Sequence, residues 1–243
     1  MEKDSFLREK VTTSHFAQLY IGLRKKEQRV YTDEQVSRLP VVEKSHPHYS
    51  EWIYRRLSSE RLIDYLKNKN RSLRVLEVGC GNGWLSAKLA DMPGAAVTGI
   101  DVNIEELNQA KRVFDRAHLQ FSVAEINDLS ESEFDIIVFA ASVQYFASFK
   151  EIISTAMSML SGDGEIHIID TPLYKPSEVT EARKRSGLYY SGIGFKEMNN
   201  YYFHHSISEL QAYNYKILFD PNKLSNRFLR KGGPFYWVCI RKQ

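Results

Sequence analysis

The chain has only two cysteines in 243 residues, Cys80 and Cys239, which excludes a disulfide framework and points to a reducing cytoplasm. It has no apolar run long enough for a bilayer: the best stretch, IIVFAASVQYF, is interrupted by Ser142 and Gln144. The opening residues MEKDSF lack the apolar core of a signal peptide, in line with a cytoplasmic location. Internal repeats and low-complexity tracts are missing too. Excess charge is scarce, with 33 Lys and Arg against 30 Asp and Glu and a formal net charge of +3, which does not mark a dedicated nucleic-acid binder. The tail departs from that balance. Lys223, Arg227, Arg230, Lys231, Arg241 and Lys242 follow Asp220 with no further acid, as a phosphate-binding surface or, more simply, a solvated basic loop would. His46 and His48 lack a partner cluster of acids or cysteines, so no metal site is expected.

What is present is concentrated in RVLEVGCGNGWLSAK, Arg74 to Lys88. Val75, Leu76 and Val78 read as a strand covered on both faces, and Gly79, Gly81 and Gly83 as a turn without side chains leading into a helix. The free amides of that helix start would face a ligand approaching the backbone closely. Glu77, at the carboxyl end of the strand, would repel a pyrophosphate. The dinucleotide fingerprint read from Gly79 needs a glycine where the chain has Trp84. A ligand with a sulfonium, an ammonium group and no phosphate suits Glu77 better, and S-adenosylmethionine is such a molecule. A second strand, AAVTGID, ends on Asp101, about twenty residues past the turn, where a carboxylate accepts from ribose hydroxyls. Asn103 and Glu106 then form a candidate capping box for a helix with Ile104, Leu107, Ala110, Phe114 and Ala117 on one face.

On these residues the chain resembles the class I S-adenosylmethionine-dependent methyltransferases from about residue 50 to 170. The resemblance implies a cofactor site of Glu77, Gly79, Cys80, Gly81 and Gly83 from the turn, with Asp101 and Val102 after the second strand. It adds Glu125 and Ile126 at the adenine ring, and Ala140 and Ala141 beside the methionine portion. Cys80 is read as a small filler rather than a nucleophile. Glu125 stands where the family more often has an aspartate, a longer acceptor of the same chemistry.

The alternation of patterns predicts a doubly wound, mainly parallel seven-stranded sheet of Rossmann-like α/β type, with an N-terminal helical extension and an inserted lid after the fifth strand. The division expected is a helical extension over 1–49 that serves as a lid, an α/β core over 50–170, a substrate lid over 171–205, and a closing helix and hairpin over 206–243. Helices are expected near 50–67, 83–91, 104–117 and 149–160, with Ser161, Gly162 and Gly164 ending the last. EIHIID then makes the fifth strand, a short helix runs from Glu178 to Arg185, and Ser206 with Glu209 caps the helix SISELQAY. YKILF and FYWVCI are the closing strands.

The expected activity is in-line methyl transfer to oxygen or nitrogen of a small or medium organic acceptor, a metabolite or sugar-containing natural product. Positioning dominates such chemistry. Tyr145, Asp170, His204 and His205 are the candidate catalytic groups, with Gln144 nearby, while His167 reads as a packed strand residue. The fourth strand lacks the Asn/Asp-Pro-Pro-aromatic tetrapeptide of base-amino methyltransferases and the aspartate of metal-assisted catechol-type enzymes, and no Pro-Cys pair occurs. A nucleic-acid methyltransferase and a non-catalytic adenosylmethionine-binding protein stay open as alternatives. So does a nicotinamide-dependent oxidoreductase, with the fingerprint read from Gly81 and Ser86 as its third small residue.

Overall fold

The computed structural model describes residues 2–129, 133–224, 226 and 233–242, with side chains described from residue 14 onward. Three helices precede the sheet: α1 (Glu2–Lys26), α2 (Asp33–Arg38) and α3 (Tyr49–Lys67). Strand and helix then alternate through β1 (Leu73–Val78), α4 (Trp84–Ala90), β2 (Ala95–Asp101), α5 (Ile104–Val113), β3 (Leu119–Val123), β4 (Phe134–Ala140), α6 (Phe149–Ser158) and β5 (Leu160–Ile169). After α7 (Val179–Gly192) come β6 (Asn214–Phe219) and β7 (Trp237–Arg241).

The strand order is β3-β2-β1-β4-β5-β7-β6, with β7 antiparallel to both neighbours and every other pairing parallel. Alternation along each strand divides the core. Val75, Ile136 and Val138 face Leu62, Leu66, Leu85 and Leu107 of α3, α4 and α5. Leu76, Val78, Ile137 and Phe139 face Ile152, Ile153 and Ala156 of α6. Because the chain leaves β1 towards β2 and returns across it to β4, a crevice opens between the carboxyl ends of β1 and β4.

Four local expectations are corrected. Ser161, Gly162 and Gly164 do not end α6; they lie within β5, where pairing with β4 jumps from Phe134↔Leu160 to Ile136↔Glu165 and the intervening residues bulge outward. The helix α5 stops at Val113 rather than residue 117, and Arg116 of the following loop donates to the Ala87 carbonyl and pairs with Asp91 at 3.1 Å. SISELQAY forms a 3-10 helix, Ile207–Ala212, although Ser206 and Glu209 close the expected capping box. The helix expected from Glu178 to Arg185 extends to Gly192 as α7.

The third glycine of the turn is fixed by packing. Gly83 has φ +75°, and a β-carbon there would stand 2.5 Å from the Phe121 ring and 2.8 Å from Ala110. Next to it, Trp84 fills the place of the dinucleotide glycine by packing edge-on to Trp52 of α3, with centroids 5.6 Å apart. The substitution Gly83→Ala should therefore cost at least about 2 kcal/mol in denaturant unfolding, from strain and overpacking together. A loss under about 0.5 kcal/mol would contradict this packing.

Candidate functional site

A cavity of about 450 Å³ lies at the carboxyl ends of β1, β2 and β4. Its floor includes Gly79, Asp101, Val102, Ile126, Ala141 and Ser142, and its roof Phe16 and Tyr20 of α1 with Tyr201 and Phe203 of the insertion after β5. Glu125, Ala124 and Asn103 complete one side.

The turn is held by main-chain bonds to β2. Gly79 and Cys80 donate their amides to the Ile100 carbonyl at 2.9 and 3.0 Å. Gly81 donates to Asp101 Oδ2 and Asn103 to Asp101 Oδ1, both at 2.8 Å. Burial pushes the Asp101 carboxyl up, and these amides, with that of Val102, hold it down. Asn103 caps α5 through Oδ1, but the expected box stays half made: its amide is taken by Asp101, and the Glu106 side chain does not return to it. At Gly79, with φ +74°, an added β-carbon would meet Ser142 Cβ at 2.6 Å, so only glycine keeps the crevice open there.

Of the residues expected around a cofactor, Gly79, Asp101, Val102, Glu125, Ile126 and Ala141 line this cavity. Cys80, Gly81, Gly83 and Ala140 are not among its lining residues. Glu77 does not reach the wall either. It shares the Val75 face of β1, so its carboxyl turns onto α4 and accepts from Ser86 Oγ at 2.5 Å. Burial, reinforced by the Asp101 charge, pushes this carboxyl up to about 8.

Tyr145 is the one expected catalytic residue in the cavity wall, packed 5.6 Å from Phe16, 5.5 Å from Tyr20 and 5.8 Å from Tyr202 between ring centroids. Burial raises its phenol, against the opposing charge of Arg24. Asp170 accepts from Ser58 Oγ at 2.7 Å and anchors α3 to the end of β5. His205 donates Nε2–H to the Phe146 carbonyl at 3.0 Å, which ties the end of the insertion to the segment after β4, and His204 Nε2 meets Ser186 Oγ at 2.9 Å within the insertion. Gln144 spans Ala141 and Thr171 through its two amide atoms. The catalytic roles expected of Asp170, His204 and His205 are thus not matched by their positions, because none of them lines the cavity and each is hydrogen-bonded to another residue.

The residues that sequence reasoning missed come from α1. Phe16, Tyr20 and Arg24 recur every fourth residue and so share one helix face, a spacing legible in the sequence once that helix is laid over the crevice.

Metal-type ligands converge elsewhere: Glu165, His167 and Cys239 bring ligand atoms within 4.8 Å of one another. Hydrogen bonds already use this group. The Trp237 indole donates to His167 Nδ1 at 3.1 Å, so Nε2 carries the proton and donates to Glu165 at 3.2 Å. Glu165 also meets Lys69 at 2.9 Å and Arg241 at 2.7 Å. His167 is thus a packed strand residue, as expected. His48 Nε2 binds the Glu27 carbonyl at 2.8 Å and His46 Nδ1 accepts the His48 amide at 3.0 Å, which makes this pair a loop brace. In the basic tail, Arg241 is committed to Glu165 and Lys242 reaches the Leu160 carbonyl at 2.5 Å, while Arg227, Arg230 and Lys231 lie outside the described residues. No helix among the described residues is long and apolar enough to cross a membrane.

A family model described as a methyltransferase domain matches residues 69–215, more than half of the chain. The chain belongs to this family, the class I S-adenosylmethionine-dependent methyltransferases that the glycine turn resembles. Among curated proteins it is 31% identical over 104 residues to a malonyl-[acyl-carrier protein] O-methyltransferase of Bacillus anthracis, covering 42% of this chain and 39% of that one. It is also 31% identical over 114 residues to a ubiquinone biosynthesis O-methyltransferase of Actinobacillus pleuropneumoniae, covering 42% and 48%. The chain thus spans less than half the length of these relatives. In fold it is similar to the plantazolicin methyltransferase BpumL, solved with a desmethylPZN analog and SAH, at a TM-score of 0.58 and 17% identity over the whole of both chains. A geranyl diphosphate C-methyltransferase from Streptomyces coelicolor A3(2) aligns over 84% of both chains at a TM-score of 0.56 and 15% identity.

The buried Glu77 gives a test by pH. The folded protein binds its proton more tightly than the unfolded chain, so its burial costs nothing below about pH 4.5, costs progressively more up to about pH 8, and is constant above. Glu77→Gln keeps the acceptor for Ser86 and should stay within about 1 kcal/mol of the parent near pH 5 but exceed it near pH 9 by on the order of 4 to 5 kcal/mol in ligand-free unfolding. Parallel pH profiles would show that Glu77 is ionised in the folded state.

Proposed function

We propose that this chain is an S-adenosylmethionine-dependent methyltransferase that methylates oxygen or nitrogen of a small or medium organic acceptor, a metabolite or sugar-containing natural product, by in-line transfer. The observation that carries this reading is the cavity itself, with the Asp101 carboxylate in its wall and a bare glycine at Gly79. The cavity also fits the cofactor in chemistry: Asn103, in its wall, has a buried Nδ2 with no hydrogen-bond partner. The names of the curated relatives, a malonyl-[acyl-carrier protein] O-methyltransferase and a ubiquinone biosynthesis O-methyltransferase, support transfer to oxygen of an organic acceptor. The structural neighbours solved with S-adenosylhomocysteine support the cofactor.

S-adenosylmethionine, when bound, supplies an electrophilic methyl group on a positively charged sulfur. The protein's part is to bind, align and keep water out. Asp101, still able to accept at both oxygens, would hold the ribose hydroxyls, Ile126 and Val102 would flank the adenine, and Ala141 leaves space near the turn. Residues 50–170 and 206–243 would serve as the cofactor core, and 1–49 and 171–205 as covers. Phe16, Leu23, Tyr190, Met198 and Tyr202 pack these covers into one apolar cluster that also touches Tyr145. Enclosure of this kind holds the acceptor in line, an effect worth up to ~7 to 11 kcal/mol. Tyr145 would orient the acceptor through its ring and hydroxyl. Its raised pKa keeps the phenol neutral near pH 7, suited to donating a hydrogen bond rather than to removing a proton.

S-adenosylhomocysteine should raise the melting temperature while NAD leaves it unchanged; near one hundred times its dissociation constant the stabilisation is about 2.7 kcal/mol. Equal silence from both ligands overturns the cofactor assignment. Incubation with methyl-labelled cofactor and fractionated cell extract should label a small, nuclease-resistant product. Label that disappears on nuclease treatment would transfer the reading to a nucleic-acid acceptor.

A further inference from the structure

The roof of the cavity is aromatic, and its rings come from three parts of the chain. Phe16 and Tyr20 stand on α1, Tyr145 on the 3-10 turn Val143–Tyr145 after β4, and Tyr201 and Phe203 on the insertion after β5. Phe16 joins them: its ring centroid lies 5.8 Å from Tyr20, 5.6 Å from Tyr145 and 5.3 Å from Tyr201, each pair tilted by 41 to 48°. Tyr145 also meets Tyr20 edge-on at 5.5 Å. The Phe203 amide donates to the Gln144 carbonyl at 2.7 Å, which fixes the insertion beside the Tyr145 turn. All five rings line the cavity and all five stay half-buried, so each keeps surface for a further contact. Such a wall is complementary to another ring, since tilted and edge-to-face aromatic pairs attract beyond the area they bury.

Charge narrows the occupant. Among the described residues, no lysine, arginine or histidine lines the cavity, so an acceptor bearing a carboxylate or phosphate would lose its hydration without gaining a counter-charge. The lining acids, Asp101 and Glu125, belong to the floor and one side, and the roof among the described residues has none. A protonated amine has no lone pair to offer a methyl group, and this roof has no base to free one. Its polar side-chain groups are the hydroxyls of Tyr20, Tyr145 and Tyr201. Burial raises the phenols of Tyr20 and Tyr145, so both stay neutral near pH 7 and suit hydrogen bonds to an uncharged hydroxyl.

We propose that this roof is the acceptor site and that it selects an uncharged phenol, its ring packed on the Phe16, Tyr145 and Tyr201 wall and its hydroxyl directed by the tyrosine hydroxyls. This rests on the cofactor reading above and narrows the acceptor to one chemical class. In the transfer, an oxygen lone pair of the phenol forms the bond to the methyl carbon. The bond from that carbon to sulfur breaks with its electron pair going to sulfur, and the hydroxyl proton leaves to water. The products are an aryl methyl ether and S-adenosylhomocysteine. Carboxylated, phosphorylated and purely aliphatic acceptors are excluded.

Three probes of one skeleton test this by isothermal titration at pH 7 into the protein saturated with S-adenosylhomocysteine. One is 2-naphthol, the uncharged phenol; the others are decahydro-2-naphthol, its saturated counterpart, and 2-naphthoate, the charged aromatic. The phenol should bind at least about fivefold more tightly than either of the others. Tyr201→Leu and Phe203→Leu keep an apolar side chain and remove the ring; each should weaken 2-naphthol at least about fivefold and leave S-adenosylhomocysteine within about twofold of the parent. Equal affinity for the phenol and the saturated alcohol would reduce the roof to a general apolar surface, and tighter binding of the carboxylate would make it an anion site. Absent binding of 2-naphthol, affinity unchanged in both variants, or variants that lose S-adenosylhomocysteine in equal measure would remove these rings from an acceptor site. Each of these results overturns the proposal while the cofactor reading stands. A parent protein that does not bind S-adenosylhomocysteine fails the cofactor reading and the proposal with it.

Discussion

The carboxylate of Asp101 is the fixed point of this molecule. One oxygen takes the Gly81 amide and the other the Asn103 amide, so the end of β2 is tied both to the glycine turn after β1 and to the start of α5. A side chain held this way keeps its remaining lone pairs aimed at the cavity and cannot swing to another partner. The turn in turn depends on it, because Gly79, Gly81 and Gly83 all take left-handed backbone that supplies no restraint of its own. Close packing completes the restraint, with Ser142 against Gly79 and Phe121 against Gly83.

The acids near the crevice divide their work according to strand alternation. Asp101 sits at a strand end and reaches the cavity, whereas Glu77, within β1, shares the face of Val75 and is committed to α4. The two carboxyls oppose each other's ionisation, and Glu77, held by the Ser86 amide alone where Asp101 has those of Gly81, Val102 and Asn103, is the one pushed up to about 8. Glu106, in the first turn of α5, does not complete the helix cap, and its Oε2 is buried without a hydrogen-bond partner. Buried carboxyls are therefore distributed over β1, β2 and α5, and the charge of Arg24 of α1 acts on the one in α5.

The sheet was readable because its signals are local. Apolar runs, glycine punctuation and a strand-end aspartate are each set within a few residues, and β1, β2, β4 and β5 fall where those runs stand. The Ser161 to Gly164 segment misled for the same reason: its small residues read as a helix stop, while the bulge they form depends on pairing with Phe134 across the sheet. The orientations of Asp170, His204 and His205 were equally illegible, since each is decided by a partner distant in sequence: Ser58, Ser186 or the Phe146 carbonyl. The largest gap was α1. Its Phe16, Tyr20 and Arg24 share a face by simple helical spacing, yet nothing local says that this face covers the crevice between β1 and β4.

The account's central claim is that the Asp101 carboxylate, already braced by its own backbone, accepts the ribose of an adenosyl ligand. A crystal structure with S-adenosylhomocysteine tests this most directly. The account predicts ribose hydroxyls within hydrogen-bond distance of Asp101, with the Gly81 and Asn103 amides still on the same carboxylate. An adenosyl group bound elsewhere, or a turn that must open and release Asp101 to admit it, would contradict the account.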